Sequence, residues 1–138
     1  MEQKILNVGV ISCSGMAQSH MLAVQAHEQA RLVAICDVDE EKLREAGEKL
    51  GVDARYTDYR DLLRHPGLDA VIIVTPDQLH REMAEYALGK GLDVLCEKPM
   101  AADPADVQLL QQQAAMRGLL FREAIMLLYQ PQLALLRQ

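Results

Sequence analysis

The chain has 138 residues, half of them hydrophobic, and a formal net charge of −6 at pH 7. That length is sufficient for one domain with a sizeable buried core. The acidic balance argues against nucleic acid and against an anionic membrane surface as partners, because both are bound by clustered lysine and arginine. No apolar run reaches the length of a membrane span or of a signal-peptide core, so we expect a soluble, cytoplasmic protein.

Apolar runs of strand length alternate along the chain with segments of helical period. Most of these runs are apolar at consecutive positions, as in parallel strands whose two faces are both covered by helices. The alternation predicts an α/β fold: a doubly wound, mostly parallel sheet of the Rossmann type with helices on both faces. The predicted strands are 5–11, 32–36, 55–56, 70–74, 94–96 and 119–121, and the predicted helices are 16–28, 40–50, 59–64, 80–90 and 104–116.

Two of the predicted helices carry clear signals at their ends. Asp39 is a suitable N-cap for the helix that Gly51 ends, and Asp103 precedes Pro104, which suits a first helical position. The three cysteines, Cys13, Cys36 and Cys96, have no metal-ligand spacing and are odd in number. We therefore predict free, packed thiols in a reducing compartment and no metal site.

The turn between the first strand and the first helix is where dinucleotide-binding folds carry Gly-x-Gly-x-x-Gly/Ala. The three corresponding positions are Ser12, Ser14 and Ala17, so only the last one conforms. A Cβ at the first two positions adds bulk, and a positive φ there would cost on the order of 1–3 kcal/mol. Gly15 is available to absorb part of the turn, and both serine hydroxyls are potential donors to phosphate oxygens. The helix that opens near Met16 offers free N–H groups to a diphosphate.

Asp37 follows the second strand, 20 residues after Ala17. A carboxylate at this position binds the adenosine ribose hydroxyls in dinucleotide-binding folds. Asp37 and Asp39 together would repel a 2′-phosphate, so NAD is predicted in preference to NADP. The structural alternative is that Asp37 only caps the turn before the next helix.

The fourth long apolar run leads into Thr75, Pro76 and Asp77, with His80 three residues later. A strand followed by Thr-Pro places a non-helical turn at the edge of the sheet where nucleotides bind in open α/β folds. These four residues are therefore candidate cofactor contacts. For His80 an exposed or capping role is an equal alternative, and for His20, in the first helix, we favour a packing role.

Glu97, Lys98 and Pro99 follow the apolar run 94–96, where a parallel strand ends and the ligand crevice of such a fold begins. A hydroxyl whose carbon loses a hydride must also lose a proton. A lysine in a partly desolvated crevice can have its pKa lowered enough to share that proton. The alternative is a surface lysine paired with Glu97.

Taken in order, these motifs resemble the N-terminal domain of the glucose–fructose oxidoreductase / inositol dehydrogenase / MocA (Gfo/Idh/MocA) family. The matching segments are 9–11, 15–17 with His20, 34–37, 56–59, 62–63, 69–71, 75–80, Gly91, 97–99 and 123–126. The resemblance implies a Rossmann domain that binds NAD or NADP. It also implies that Lys98 contacts substrate and nicotinamide ribose and assists proton transfer. Glu97 would orient that lysine, and Pro99 would set the turn, often through a cis peptide bond.

The resemblance further implies a second, larger α+β domain that supplies the remaining substrate contacts. We therefore expect a dinucleotide-binding domain over residues 1–123 and the start of a truncated or absent substrate domain over 124–138. The apolar segment 125–136 is too hydrophobic for a solvated tail. It could pack back on the domain, but we favour pairing with a second copy, giving a homo-oligomer, or contact with the missing domain.

The predicted function is the cofactor domain of an oxidoreductase that acts on CH–OH groups of a sugar or polyol, incomplete for catalysis on its own. Two alternatives from other classes remain open. One is a non-catalytic nucleotide-binding or sensing module, and the other is a degenerate, oligomerising relative that no longer binds cofactor.

Overall fold

Six strands and five helices alternate along residues 4–124, which are the residues that the computed structural model describes. The strands are β1 (Leu6–Ile11), β2 (Ala30–Cys36), β3 (Arg55–Tyr56), β4 (Ala70–Ile73), β5 (Asp93–Glu97) and β6 (Phe121–Ala124). The helices are α1 (Gly15–Ala26), α2 (Glu40–Leu50), α3 (Tyr59–Leu63), α4 (His80–Gly89) and α5 (Pro104–Met116), and a short 3-10 helix, Asp77–Leu79, leads into α4.

The strands form one sheet in the order β3-β2-β1-β4-β5-β6, and every neighbouring pair is parallel. This is the doubly wound order of the Rossmann fold, so the predicted fold class is confirmed. The direction of winding reverses between β1 and β4. Ligands of open α/β sheets bind beyond the carboxyl ends of the strands at such a switch point.

Two hydrophobic cores lie on opposite faces of the sheet. One core packs side chains of α3, α4 and α5 against the sheet and contains Cys36 and Cys96. The other packs α1 and α2 against the sheet and contains Cys13. All three thiols are free and buried, as predicted.

The helix ends follow the signals in the sequence. The Asp39 side chain accepts hydrogen bonds from two N–H groups in the first turn of α2, and Gly51, with a φ of 70°, ends that helix in the left-handed conformation. At α5, the Asp103 carboxylate accepts from the Ala105 N–H, and Pro104 takes the first helical position. These contacts satisfy backbone groups that a helix end leaves without intrahelical partners.

The last strand begins later than predicted, at Phe121 rather than at Leu119. The N–H of Leu119 donates to the Ala114 carbonyl and so completes the end of α5. Gly118, with a φ of 67°, turns the chain just before it. Since Leu119 still serves the helix end, pairing with β5 starts two residues further on, where Phe121 lies opposite Val94.

Two expectations concern residues beyond this region. The start of a substrate domain over 124–138 and the pairing of the apolar segment 125–136 both lie outside the described residues, apart from Ala124. Within residues 4–124, none of the helices combines the length and the apolar character needed to cross a bilayer.

Candidate functional site

A cleft of about 510 Å³ opens at the switch point, beyond the carboxyl ends of β1, β2 and β4. Four of the predicted cofactor residues line it: Ser12, Asp37, Thr75 and Pro76. The segment 57–60 forms a further wall. The structure therefore brings together side chains from three strand ends and the α3 entry, which are far apart in the sequence.

The turn after β1 concentrates its backbone strain at one residue. Ser12, at the position of the first glycine, has a φ of 101°. Among residues 4–124 no other non-glycine residue has a positive φ. Ser14, at the second position, has an ordinary extended conformation with a φ of −68°. Gly15 does not absorb the turn, contrary to expectation, because it already begins α1 and is absent from the positive-φ glycines of that region.

The two serine hydroxyls contact each other. Ser12 Oγ accepts from the Ser14 N–H at 3.2 Å and donates to Ser14 Oγ at 3.1 Å. The Ser14 side chain makes no capping hydrogen bond to α1. The turn is thus closed by Ser12, and the Ser14 hydroxyl is exposed.

The first turn of α1 is open at its N-terminus. The first intrahelical bond runs from the Gln18 N–H to the Ser14 carbonyl, so the N–H groups of Gly15, Met16 and Ala17 precede the helical ladder. Gly15 and Met16 are exposed, whereas Ala17 is fully buried, which suits the close helix–strand packing of the third motif position. Free N–H groups and the positive end of the helix dipole favour an anion here.

Asp37 serves the loop as well as the cleft. Its Oδ2 accepts from the Cys13 N–H and its Oδ1 accepts from the Asp39 N–H, both at 2.8 Å. Asp37 therefore does cap the turn before α2, as the structural alternative proposed. The carboxylate nevertheless borders the cleft and keeps lone pairs for further donors, since two oxygens offer about four acceptor sites.

His80 is completely buried, so its exposed alternative is wrong. Its Nδ1 lies 2.6 Å from the Pro99 carbonyl oxygen and its Nε2 lies 2.7 Å from that of Thr75. Because both ring nitrogens are occupied and the ring has no free surface, His80 has no group left for a direct contact with cofactor. Thr75 itself donates its hydroxyl to the Met83 sulfur, while Pro76 and Asp77 are exposed.

The Glu97 side chain links α1 to the turn after β5. Its Oε1 lies 2.8 Å from His20 Nε2, and its Oε2 accepts from the Lys98 N–H at 3.2 Å. The His20 ring, with 19% of its side chain exposed, thus makes a specific polar contact in addition to any packing role. Sequence reasoning missed this pair because 77 positions separate the two residues.

Lys98 projects from a turn in which the Lys98–Pro99 peptide bond is cis, as the resemblance implies. The lysine is exposed, and no ion pair with Glu97 is found in the part of the chain that the structure describes. The surface pair considered as an alternative is thus absent there. Lys98 was also expected to be partly desolvated. No helix or strand within residues 4–124 covers its side chain, so this part of the chain does not provide that desolvation.

The three thiols lie near the carboxyl edge of the sheet but are expected to be unreactive. Burial raises the pKa of Cys13, Cys36 and Cys96 to about 12, and the Asp37 carboxylate adds to the effect at Cys13. Neutral, buried thiols are poor nucleophiles and poor metal ligands. Residues 4–124 contain no group of three or more His, Cys, Asp or Glu side chains that is able to hold a metal ion.

The wall formed by α3 was not predicted as part of the site. The Arg60 guanidinium lies 4.7 Å from the ring centre of Tyr59, and both side chains bind Glu82 Oε1, at 2.9 Å and 2.8 Å respectively. Burial and, to a lesser extent, the hydrogen bond to Glu82 raise the pKa of Tyr59 to about 12. The segment 56–59 was part of the resemblance, but no single residue in it signals a contact with the cleft.

Residues 6–124 match the family model described as Gfo/Idh/MocA, the oxidoreductase family with an NAD-binding Rossmann fold. The chain belongs to this family. The match covers β1 to β6 and thus the whole sheet. In this chain the open α1 terminus, Asp37 and Lys98 all lie at the carboxyl edge of the sheet, the edge at which open α/β folds bind their ligands.

Characterised family members resemble the chain over most of its length. It is 35% identical over 102 residues to myo-inositol 2-dehydrogenase of Thermotoga maritima, covering 74% of this chain and 30% of that protein. It is 35% identical over 101 residues to D-apiose dehydrogenase of Paraburkholderia graminis, covering 73% of this chain and 27% of that protein. The matched part of the chain thus spans less than a third of the length of these two relatives.

Solved structures of the family have the same fold. Scyllo-inositol dehydrogenase from Lactobacillus casei, with bound NAD(H) and scyllo-inositol, superposes with a TM-score of 0.86 at 28% identity, covering 93% of this chain and 38% of that one. A mutant 3-ketoreductase from Actinomadura kijaniata, in complex with TDP-benzene and NADP, gives a TM-score of 0.89 at 32% identity, covering 95% and 40%. Both nicotinamide dinucleotides therefore occur among the structural relatives.

Proposed function

We propose that the chain is the cofactor domain of an NAD-dependent oxidoreductase that acts on the CH–OH group of a sugar or polyol. The observation that carries the proposal is that three groups lie at one edge of the sheet. They are the open N-terminus of α1, the Asp37 carboxylate at the position expected to bind a ribose, and Lys98 just beyond β5. The family match ends at residue 124. We propose that the dinucleotide-binding domain ends near there and that the following residues begin a substrate domain.

The described residues fit a dinucleotide in three places. The N–H groups of the first α1 turn suit the diphosphate, and the Asp37 carboxylate suits the adenosine ribose hydroxyls. The mainly apolar cleft next to Asp37, walled by Tyr59 and Arg60, suits a base. With the dinucleotide bound, its nicotinamide group would supply the hydride acceptor or donor.

NAD fits this cleft better than NADP. Asp37 and Asp58 line it and Asp39 follows at the start of α2, so a 2′-phosphate would meet several carboxylates. Arg60, the cation in the wall, already binds Glu82 at 2.9 Å and lies 3.6 Å from Asp58. Its charge is therefore largely balanced before any ligand enters.

Lys98 is proposed as the group that takes the hydroxyl proton as the substrate carbon loses its hydride. The turn after β5 holds the Lys98 backbone at the carboxyl edge, and its exposed Nζ is free to meet a hydroxyl. A general base is most effective when its proton affinity is matched to neutral pH. Covering Lys98 with a substrate domain would provide that matching through partial desolvation.

Calorimetry with NAD tests the cofactor role directly. We expect saturable binding that is tighter for NAD than for NADP. Asp37→Ala should weaken NAD binding by about 2 kcal/mol, or roughly 30-fold, because charge-assisted hydrogen bonds to the ribose are lost. Lys98→Ala should leave the affinity within about threefold, because that lysine acts on the substrate.

The controls separate binding from folding. Asp37→Asn keeps one side-chain oxygen for the Cys13 and Asp39 N–H groups, so its folded state can be compared with that of Asp37→Ala. Asp53→Ala changes an exposed carboxylate that is not among the cleft-lining residues and should bind NAD normally. Absence of saturable NAD binding in the unmodified chain would refute the proposal, and an unchanged affinity of Asp37→Ala would remove that residue from the site.

A non-catalytic nucleotide-binding module is the second candidate, favoured by one observation. Ser14 has a side chain at the second motif position, where glycine lets the backbone approach the pyrophosphate, and this side chain crowds the approach of a diphosphate. Hydride transfer to a polyol by the protein with its substrate domain in place separates the two functions. We further propose that the protein forms homo-oligomers through the apolar segment 125–136 and resides in the cytoplasm, where three free thiols persist.

A further inference from the structure

One buried ring joins the two turns that follow β4 and β5. His80 lies in the first turn of α4 and is completely buried. Its Nδ1 lies 2.6 Å from the carbonyl oxygen of Pro99, 19 residues away, and its Nε2 lies 2.7 Å from the carbonyl oxygen of Thr75, 5 residues away. The ring thus bridges the exit of β4 to the turn that carries Lys98.

The contact with Pro99 requires a hydrogen on Nδ1. A carbonyl oxygen only accepts hydrogen bonds, so a ring nitrogen bonds to it only by donating, and a neutral ring has one hydrogen to donate. A buried imidazole without partners would cost free energy that an apolar side chain of the same size would not. An imidazole at this position therefore indicates a hydrogen-bonding role in addition to filling the core.

The bridge acts next to the proposed base. Pro99 follows Lys98 directly, so a donor bound to the Pro99 carbonyl restrains the turn on the carboxyl side of the lysine. On the other side, the Glu97 carboxylate accepts the Lys98 N–H and is itself held by His20. The side chains of Glu97 and His80 thus contact the backbone on either side of the exposed Lys98.

We propose that His80 is a positioning residue for Lys98, fixing the lysine backbone by donating a hydrogen bond from Nδ1 to the Pro99 carbonyl, the shorter of its two contacts, while Nε2 faces the Thr75 carbonyl at the exit of β4. The inference rests on the proposed function only for the chemical role of Lys98. The contact of the His80 ring with the Pro99 carbonyl, called the clamp below, is a property of the chain without ligand.

The unmodified chain provides the first test. In protein labelled with ¹⁵N-histidine, we expect one ring with a hydrogen on Nδ1 that exchanges slowly, because the ring is completely buried. The signal is assigned by its loss in a His80→Gln variant or, where that variant does not fold, by contacts to the Thr75 and Pro99 protons. A His80 ring without a hydrogen on Nδ1 would overturn the clamp, and this result needs neither NAD nor a folded variant.

The second test reads the backbone at Lys98. We expect the Lys98 amide order parameter to fall from about 0.85, as in rigid backbone, to below roughly 0.6 in His80→Phe, which keeps a ring but has no donor. His80→Gln, with one amide group able to donate, should recover part of the order. An unchanged Lys98 amide in a folded His80→Phe variant would overturn the positioning role.

A matched control separates positioning from general stability. His65 is half-buried and its Nδ1 lies 2.7 Å from the Tyr56 hydroxyl, so His65→Phe also removes a ring-nitrogen contact. It should lower stability but leave the order of the Lys98 amide unchanged, and equal loss of order in both variants would refute the inference. These readouts use the free protein, so failure of NAD binding would refute the proposed function while leaving the clamp to be decided separately.

Discussion

Ser12 carries a cost that the more usual glycine would avoid. Its φ of 101° lies in a region that L-residues adopt at about 1–3 kcal/mol. In return, its hydroxyl closes the turn onto Ser14. That hydrogen bond is short-range and partly exposed, so it offsets only part of the strain.

Ser12→Gly should therefore stabilise the protein. Relief of strain outweighs the greater backbone entropy of glycine, which costs roughly 0.5–1 kcal/mol, so we expect a net gain of about 1 kcal/mol in the free energy of unfolding. Urea denaturation provides the measurement. Ser14→Gly is the matched control, since Ser14 has a φ of −68° and no strain to relieve. Equal effects of the two substitutions would show that the Ser12 conformation is not strained.

Individual residues also show where sequence reasoning stops. The position of Asp37 after β2 was sufficient to predict its place at the cleft, because strand end and spacing are both local properties. The partners of His20 and His80 were not predictable, since each depends on a residue from another strand end, 77 and 19 positions away. Histidine is compatible with exposed, packed and bonded environments, so residue type alone does not select among them.

At the scale of elements, local signals predicted the helices well. Capping aspartates, a proline at the first helical position and a glycine at the end act within one turn, so they are readable without the fold. The beginning of β6 was wrong by two residues because the Leu119 N–H joins the end of α5 instead of the sheet. A residue between a helix and a strand can serve either, and contacts in space decide which.

The cap of α5 gives a prediction at this scale. Asp103→Ala should lower the free energy of unfolding by about 1 kcal/mol, because the Ala105 N–H loses its acceptor. NAD affinity should not change, since Asp103 is not among the residues that line the cleft. Urea denaturation and calorimetry measure the two effects. Asp103→Ser, which retains a capping oxygen, should restore most of the stability, and failure to do so would mean that the loss has another cause.

At the scale of the whole molecule, the buried thiols link stability to pH. Burial raises the pKa of Cys13, Cys36 and Cys96 from 9.0 to about 12 in the folded protein. The unfolded chain therefore releases these protons at lower pH than the folded one. The resulting stabilisation is fully present below about pH 9 and is lost as the pH rises from 9 towards 12.

We accordingly expect the free energy of unfolding to fall steadily above pH 9, as measured by urea denaturation at a series of pH values. The triple variant Cys13→Ala, Cys36→Ala, Cys96→Ala should show a shallower decline, with a remainder from Tyr59, whose pKa burial also raises to about 12. In the folded protein the thiols should react slowly with a disulfide reagent at pH 8 and rapidly once unfolded. A pH profile identical in the triple variant would contradict the thiol assignment.

The sequence by itself determined the alternation of strands and helices, the caps, the doubly wound fold and the family resemblance. These properties depend on hydrophobic period and on residues a few positions apart. Only the tertiary structure decided that Ser12 alone bears the strain of the turn, that Glu97 binds His20, and that His80 is a buried bridge between Thr75 and Pro99. The physical reason is that parallel strands bring residues from distant segments to one edge, and hydrogen-bond partners there are chosen by distance in space.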